Sequence, residues 1–403
     1  MNTIELTDFR TVEKALKEPE LKQSLYDAGS LLMDRVLVTL HGDEHRQRRL
    51  TEMRVFRRDF FKHYEQSVLP DLYQEVIANF DGTNLVDLNY HFMVYLALTF
   101  AGVDRQSGTK EELQTLIHLL RMFGVAATLG QAKDQSGVEE AKAEVTAALK
   151  QFEADFFNPS VARRQELIKN QTEQDDLPMD VLTVLLQDEE DLKLGSNMMM
   201  RETGFFFLAS AHTSVHSLGH AVSHLLEWCE HNPEERAKLE ADPFLVQRFI
   251  HESFRLHPSS PVAKRTALAN VEFLDGQVAN EGDTVIINLR QANRDPAVFG
   301  VDAEDFNPYR TLNPGISETG VTFGIGMHAC LGKFLAAGQL PIAGREVTVQ
   351  DHQFGTVAWL CHQLLRQGIK RDHSQPAELD QSIERETWLT YPITFAPTKF
   401  EQA

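Results

Sequence analysis

The sequence lacks several features that are typical of particular classes of protein. It contains only three cysteines in 403 residues, Cys229, Cys330 and Cys361, which is too few for a disulfide framework. Its net charge is −20 rather than positive, which argues against a protein built mainly to hold nucleic acid or anionic lipid. We therefore expect a cytoplasmic protein with no nucleic-acid partner.

Long apolar runs are also missing. The longest, such as residues 204–211, are far too short to span a bilayer. The first 21 residues, MNTIELTDFRTVEKALKEPEL, show neither an apolar core segment nor a cleavage-site pattern. We expect no signal peptide and no membrane anchor. The hydrophobic fraction of 42% and the charged fraction of 24% are typical of a globular protein with a substantial core.

The apolar pattern changes along the chain. Apolar residues recur at helical spacing through most of the first 260 residues, whereas short alternating runs follow from about residue 267. The pattern predicts a mainly α protein with a smaller β-rich portion (α+β). The helix-rich parts are expected at about 7–260 and 330–370, and the β-rich parts at about 265–325 and 385–397.

The stretch TFGIGMHACLGKFLAAG, residues 322–338, places Cys330 between glycines at the start of an apolar helix. Glycines let backbone amides approach the sulfur closely, and those amides with the helix N-terminus favour a thiolate. A thiolate held in this way is an axial ligand of haem iron. The alternative is a small buried cysteine in a glycine-rich turn.

This stretch, F-G-x-G-x-H-x-C-x-G, resembles the cytochrome P450 family, the haem-thiolate monooxygenases. Glu252 and Arg255 lie upstream at a spacing of three, and EDFNPYR ends at Arg310. In the family such a trio stabilises the fold near the haem. The resemblance runs from about residue 7 to the end. It implies a single cytochrome P450 domain over 1–403, with a long distal helix over a buried haem b.

The resemblance also implies which side chains bind the haem. Cys330 is the expected iron ligand, so it is also the expected metal-binding residue. His45 and Arg49 in HGDEHRQRRL match the family's propionate contacts, although alone they are compatible with a surface helix. The other expected cofactor-binding residues are Arg265, Phe323, His328 and Gly332.

Residues 208–228, LASAHTSVHSLGHAVSHLLEW, place histidines at a strict spacing of four, at positions 212, 216, 220 and 224. The resemblance makes this segment the distal helix and Thr213 the hydroxyl that supports oxygen activation. The carboxylate that normally precedes this threonine is replaced by His212. We predict that Thr213 and His212 are catalytic, with His212 relaying protons and His216 extending the relay, because imidazole titrates near neutrality.

Three alternatives to the relay stay open. His212 could ligate the iron or be a bystander. A zinc site is disfavoured because the zinc-protease pattern needs Glu after the first histidine, and the chain has Thr213 there. His220 and His224 are expected to be satisfied or solvated histidines.

The implied activity is insertion of one oxygen atom from O₂ into a lipophilic small molecule. The phenylalanines before the distal motif, the turn at 259–262 and the loop at 387–389 match the family's substrate contacts. Electrons would come from a ferredoxin or flavodoxin-type donor with its NAD(P)H reductase, docked on a basic patch with Arg46, Arg48 and Lys333 as candidates. The alternative function is a haem-thiolate protein that uses peroxide directly or binds ligands without turnover.

Two departures from the family pattern are visible. The chain begins later than soluble members do, so we expect a reduced N-terminal sheet and a more open access channel. After Gly338, Pro341 and the stretch GREVTVQDHQFG are expected to interrupt the helix that follows Cys330, before it resumes at TVAWLCHQLL.

Overall fold

The computed structural model describes residues 2–134, 136–170, 177–341, 344 and 346–395. The α-helices of the first half are α1 (Phe9–Ala15), α2 (Ser30–Met33), α3 (Gly42–Glu52), α4 (Arg58–His63), α5 (Leu69–Asn79), α6 (Leu85–Ala101), α7 (Lys110–Thr128), α8 (Val138–Phe152) and α9 (Asn158–Lys169). Those of the second half are α10 (Val181–Gln187), α11 (Glu189–Leu192), α12 (Gly195–His231), α13 (Pro233–Ala241), α14 (Pro243–Leu256), α15 (Leu289–Ala292), α16 (Pro296–Phe299), α17 (Lys333–Ala337) and α18 (Thr356–Arg366).

The strands form one four-stranded sheet and three small pairs. The strands are β1 (Thr3–Leu6), β2 (Leu21–Gln23), β3 (Val262–Ala267), β4 (Val271–Glu272), β5 (Val278–Ala279), β6 (Thr284–Asn288), β7 (Ile369–Arg371), β8 (Glu378–Leu379), β9 (Trp388–Thr390) and β10 (Ile393–Phe395). The large sheet has the order β1-β6-β3-β2, in which only β1 and β6 run parallel. The pairs are β4-β5, β7-β10 and β8-β9. The predicted α+β architecture, mainly helical with small sheets, is confirmed.

The β-rich region is shorter than predicted. Strands end at Asn288, and the residues from there to 325 form short helices and turns, not the strands expected up to 325. Three prolines in this stretch, Pro296, Pro308 and Pro314, interrupt any longer ladder because proline lacks the N–H that pairing needs.

The N-terminal segment contributes more to the sheet than expected. It supplies both β1 and β2, two of the four strands of the large sheet. These strands have four and three residues, which is too short for an alternating pattern to be visible in the sequence.

The longest helix crosses the middle of the molecule. Helix α12 has 37 residues and packs against α6, α7, α14 and α18. Its side chains Phe207, Leu218 and Ala211 are almost completely buried. At a rise of about 1.5 Å per residue it spans about 55 Å. The predicted long central helix is therefore present.

One helical segment, Lys110–Gln131, is long and apolar enough by composition to cross a membrane. More than half of its most apolar window is buried, and Leu116, Leu119, Leu120 and Phe123 are completely buried. The apolar face of this segment is thus explained by packing in the protein core.

The helix after the cysteine loop is interrupted, as the sequence predicted. Helix α17 ends at Ala337, and α18 begins only at Thr356. Gly338 and Gly355 have φ of +62° and +87°, and a Cβ at Gly355 would lie 2.3 Å from the Gly338 nitrogen. Only glycine allows this approach, so the two ends of the intervening segment lie side by side.

Side chains fix the two ends of this segment. Gln247 Nε2 donates to the carbonyl oxygens of Ala337 and Phe354 at 3.2 and 2.8 Å. The buried Glu65 carboxylate accepts from the amides of Phe354 and Gly355 at 2.8 and 2.7 Å. The helix is therefore divided, but the end of α17 and the start of α18 are held next to each other.

Candidate active site

Residues from distant parts of the chain line one cavity beneath α12. The seven residues predicted to bind haem all line it, and so does Thr213. The seven are His45, Arg49, Arg265, Phe323, His328, Cys330 and Gly332. The cavity brings together α3, β3, α12 and the cysteine loop, which no local sequence pattern could have joined.

The cysteine loop is built by backbone contacts. The amide of Cys330 donates to the Phe323 carbonyl oxygen at 2.8 Å, which closes the loop. Gly324 and Gly326 take φ of +63° and +74°, a region that favours glycine. At Gly326 a Cβ would also lie 2.7 Å from the Leu16 carbonyl oxygen. Gly324 and Gly326 are thus required by the conformation of the loop.

The sulfur of Cys330 opens onto the cavity and accepts hydrogen bonds from the amides of Gly332 and Lys333. Burial raises the pKa of the Cys330 thiol, whereas these amides and the charges of Arg49 and Lys333 lower it. Burial is the larger effect, so the pKa stays above its ordinary value. The loop stabilises a thiolate, but full ionisation needs a cation at the sulfur, which suits a metal ligand.

Basic side chains collect at one side of the cavity. The rings of His45 and His328 lie 4.8 Å apart, and the Nε2 atom of each is buried without a hydrogen-bond partner. Burial, followed by neighbouring positive charges, lowers the pKa of His45 to about 4 and of His328 to about 3. Burial also lowers the pKa of Arg265 to about 10.

The guanidinium groups of this cluster form no ion pairs with described residues: none of the ion pairs in that part of the chain includes Arg49 or Arg265. Arg49 instead donates to the Ala329 carbonyl oxygen at 2.6 Å, beside Cys330. Unpaired histidine nitrogens and unneutralised guanidinium groups fit a ligand that carries carboxylates, as the haem propionates do.

Thr213 and His212 are placed differently. Thr213 lines the cavity, and its hydroxyl donates to the Ala209 carbonyl oxygen at 3.3 Å. His212 does not line the cavity and packs on Gly124 of α7. Burial, and then the charges of Arg385 and Arg121, lower the pKa of His212 to about 3. The assumption that this imidazole titrates near neutrality is therefore wrong.

The remaining histidines of α12 all have partners. His216 Nε2 lies 3.4 Å from His212 Nε2, and His220 donates to the Glu386 carbonyl oxygen at 2.8 Å. His224 Nδ1 lies 3.1 Å from the Ser253 hydroxyl oxygen. Burial lowers the pKa of each of these three histidines. The histidines at 212, 216, 220 and 224 therefore form a row of largely buried imidazoles with lowered pKa values.

A fifth histidine, His257, joins this row and was not singled out in the sequence. Its ring stacks on His220 at 4.1 Å and lies 4.9 Å from His224. Nothing in the motif RLHPSS signals the contact, because it depends on how α14 packs against α12. Among the described residues, no group of three or more His, Cys, Asp or Glu is arranged to hold a metal ion.

The expected trio is joined in the structure. Arg255 is completely buried and donates to both carboxylate oxygens of Glu252 at 2.7 Å, and Arg310 approaches the same carboxylate at 3.3 Å. Arg255 also donates to the Asn293 carbonyl oxygen, and the Asn293 side chain donates to the Thr322 hydroxyl. Arg255 and Asn293 thereby stabilise the segment that leads into the cysteine loop.

Two sequence-based assignments are corrected. The loop 387–389 does not line the cavity: Trp388 packs on Tyr391, and Leu389 is 53% exposed. Arg48 is no surface docking residue, because it is buried and its Nη1 lies 2.6 Å from the Glu202 carboxylate. By contrast, Ser259, Ser260 and Val262 line the cavity.

Comparison with known proteins agrees with this geometry. The family model described as cytochrome P450 matches residues 17–343. Putative cytochrome P450 YjiB of Bacillus subtilis (strain 168) is 25% identical over 341 residues, covering 83% of this chain and 78% of that protein.

Solved structures show the same fold. The crystal structure of CalO2 is 19% identical with a TM-score of 0.73, covering 98% of this chain and 90% of that one. P450BioI, solved with a hexadec-9Z-enoic acid-ligated acyl carrier protein, is 17% identical with a TM-score of 0.71, covering 97% and 92%. The chain therefore belongs to the cytochrome P450 family, whose members are haem b-dependent monooxygenases.

Proposed function

We propose that this cytochrome P450 oxidises a lipophilic small molecule, with electrons supplied by a ferredoxin or flavodoxin-type donor and its NAD(P)H reductase in the cytoplasm. The observation that carries the proposal is the convergence of Cys330, the basic side chains and Thr213 on one cavity.

The haem-binding side chains have distinct roles in this proposal. The Cys330 sulfur, supported by the amides of Gly332 and Lys333, would hold the iron. Arg49, Arg265, His45 and His328 would bind the propionates, and Phe323 would contribute apolar surface to the haem site. The bound haem supplies the oxygen-activating chemistry.

Thr213 is the cavity-lining residue of α12 to which we assign proton donation at the reaction side of the cavity. Its Oγ1 hydrogen is donated to the Ala209 carbonyl oxygen and can be redirected into the cavity by rotation about one side-chain bond. Phe205 and Phe206, on the same helix, contribute apolar surface to the wall of the cavity. Positioned donation of this kind raises the rate of proton transfer.

His212 stays a proposed relay residue, now in its neutral form. It could pass a proton only by accepting one at one ring nitrogen and releasing one from the other. Its neighbour in such a path is His216, at 3.4 Å between Nε2 atoms. The low pKa of both imidazoles makes a charged intermediate costly, so this relay would be slower than one through an exposed carboxylate.

Electron delivery is proposed to occur on the cysteine side. Arg46 is exposed one turn before Arg49, and Arg58 is exposed and lies 4.2 Å from the ring of Phe334 in α17. Lys333 is half-buried at the start of the same helix. These three cations would attract an acidic donor protein.

The experiment that tests the haem assignment is spectroscopic. The reduced, carbon-monoxide-bound protein is expected to show the red-shifted Soret band of thiolate ligation. Cys330→Ser should lose that band, whereas Cys361→Ser, at a buried cysteine in α18 that does not line the cavity, should keep it. An identical spectrum for the wild type and Cys330→Ser would refute the assignment.

A further inference from the structure

A buried arginine without a counter-ion lies behind the wall of the cavity. Arg385 is 5% exposed, and none of the ion pairs between described residues includes it. Its Nε donates to Gln131 Oε1 at 2.7 Å and its Nη1 to the Ser259 carbonyl oxygen at 3.1 Å. Its Nη2 is buried with no hydrogen-bond partner. A buried guanidinium that meets only neutral acceptors is unfavourable unless an anion joins it.

The side chains around Arg385 do not neutralise it. Its sequence neighbour Glu386 pairs instead with Arg290 at the surface. His212 and His216 are buried, and the positive charge of Arg385 is among the causes that lower the pKa of both. The local potential is therefore positive, with no protein carboxylate assigned to balance it.

The guanidinium adjoins the part of the cavity where a substrate would lie. Ser259, whose carbonyl oxygen accepts from Arg385, lines the cavity together with Ser260. Gln131 follows Gly130, where an added Cβ would lie 3.8 Å from the carbonyl oxygen of Leu25, a residue of the cavity lining. The Nε2 of Gln131 is a second buried donor without an acceptor. Two adjacent donors thus lack an acceptor directly behind the lining residues.

We propose that Arg385, assisted by Gln131, binds a carboxylate group of the substrate. This inference rests on the proposed function, because it names the substrate class of the same cavity. The guanidinium group of an arginine can donate two parallel hydrogen bonds to one carboxylate. Such charge-assisted bonds are about twice as strong as hydrogen bonds to neutral acceptors. A carboxylate can therefore displace the Ser259 carbonyl or the Gln131 amide oxygen as the partner of Arg385.

The other residues that line the cavity indicate which chemical group would carry the carboxylate of such a substrate. Phe205, Phe206, Val262 and Leu25 line the cavity with apolar surface. An alkyl or aromatic chain that ends in a carboxylate satisfies both the walls and the guanidinium. The substrate class is accordingly an amphiphilic carboxylic acid rather than a neutral terpenoid or steroid.

The test compares an acid with its matched alcohol in the haem-loaded protein. Dodecanoic acid and dodecan-1-ol are titrated at pH 8, below the micelle concentration, while the Soret shift on displacement of iron-bound water is followed. A thermal-shift titration gives a second measure of binding. The wild type is expected to bind the acid about ten- to hundredfold more tightly than the alcohol. Arg385→Met should remove this preference and leave the affinity for the alcohol unchanged.

Further variants keep the test decisive. Arg290→Met removes a partly exposed guanidinium nearby, with a side chain 39% exposed, and should keep the preference. Should Arg385→Met fail to fold, Gln131→Leu is expected to lower the preference several-fold. Equal affinities for acid and alcohol in the wild type, no binding of the acid, or an unchanged preference in the folded Arg385→Met or Gln131→Leu protein would each overturn the inference.

The outcome is separable from the haem assignment. Equal affinity of the wild type for the acid and the alcohol, with the thiolate Soret band intact, refutes only the role of Arg385. Absence of the thiolate band in the wild type refutes the proposed function itself.

Discussion

The Nε2 atom of His212 lies directly over Gly124 of the neighbouring helix, where a Cβ would approach it to 2.3 Å. The glycine is helical and needs no unusual φ, so its role is to leave room for the imidazole. Helices α7 and α12 therefore pack closely at the residue that replaces the family's usual carboxylate.

This contact predicts a complementary pair of substitutions. Gly124→Ala should destabilise the protein by about 1–3 kcal/mol, because the new methyl group overlaps the ring. Removing the ring as well, in Gly124→Ala/His212→Ala, should recover part of that loss. Guanidinium unfolding of the holoprotein measures both values. Equal stability of Gly124→Ala and the wild type would show that the helices separate at little cost.

The second prediction concerns the relay. His212→Ala should slow turnover and raise the solvent isotope effect, with the resting spectrum unchanged. A nitrogen-ligated resting spectrum that disappears in His212→Ala would show that the imidazole reaches the iron instead. Full coupled activity in this variant would make His212 a bystander that serves only packing.

The third prediction concerns the cavity hydroxyl. Thr213→Val keeps the size of the side chain but removes the proton at Oγ1, so peroxide release per electron consumed should rise. Substrate binding should change little. Thr213→Ser restores a hydroxyl and should restore coupling. If Thr213→Val remains fully coupled, Ser210 or an ordered water must supply the proton.

The fourth prediction is acid sensitivity. The folded-state pKa is lowered to about 3 for both His212 and His224, and it is also lowered for His216, His220 and His257. A histidine with a lowered folded pKa stabilises the fold above its unfolded pKa of about 6.5, and this stability is lost as the pH falls. Each such histidine contributes a slope of up to about 1.4 kcal/mol per pH unit below pH 6.5.

Denaturation of the holoprotein between pH 6.5 and pH 5 measures this slope. His224→Phe should reduce this slope by the contribution of about one proton. His231→Phe, at an exposed position on the same helix, should leave the slope unchanged. A stability that does not fall over this range would contradict the burial of neutral imidazoles.

The fifth prediction concerns the donor protein. Arg46→Glu and Arg58→Glu should each slow ferredoxin-supported reduction, and the wild-type rate should fall as salt screens the attraction. Lys238→Glu, exposed on α13, provides a charge-matched control. A rate independent of ionic strength would remove the docking proposal.

The sequence predicted the features that depend on local chemistry. The positive φ of Gly324 and Gly326 and the pairing of Glu252 with Arg255 each have a cause within a few residues. The placement of His257 and Arg385 has no such cause. His257 meets His220 because α14 packs on α12, and Arg385 meets Gln131 because a late loop pairs with the segment after α7.

The burial of individual side chains is the second property that the sequence did not reveal. Arg48 and Arg46 are indistinguishable in the stretch HGDEHRQRRL, yet one is buried on Glu202 and the other is exposed. The pKa of His212 was misjudged for the same reason, because the reference value applies to a solvated ring.

Gly338 and Gly355 are seventeen positions apart in sequence, yet their backbones touch. The chain leaves α17 and returns to the same point before α18, so the two glycines close a loop. The cost of closing such a loop grows only slowly with its length. The glycine junction therefore allows the length of the intervening segment to vary, provided that the contacts at its returning end, such as that of His352 with Gln247, are kept.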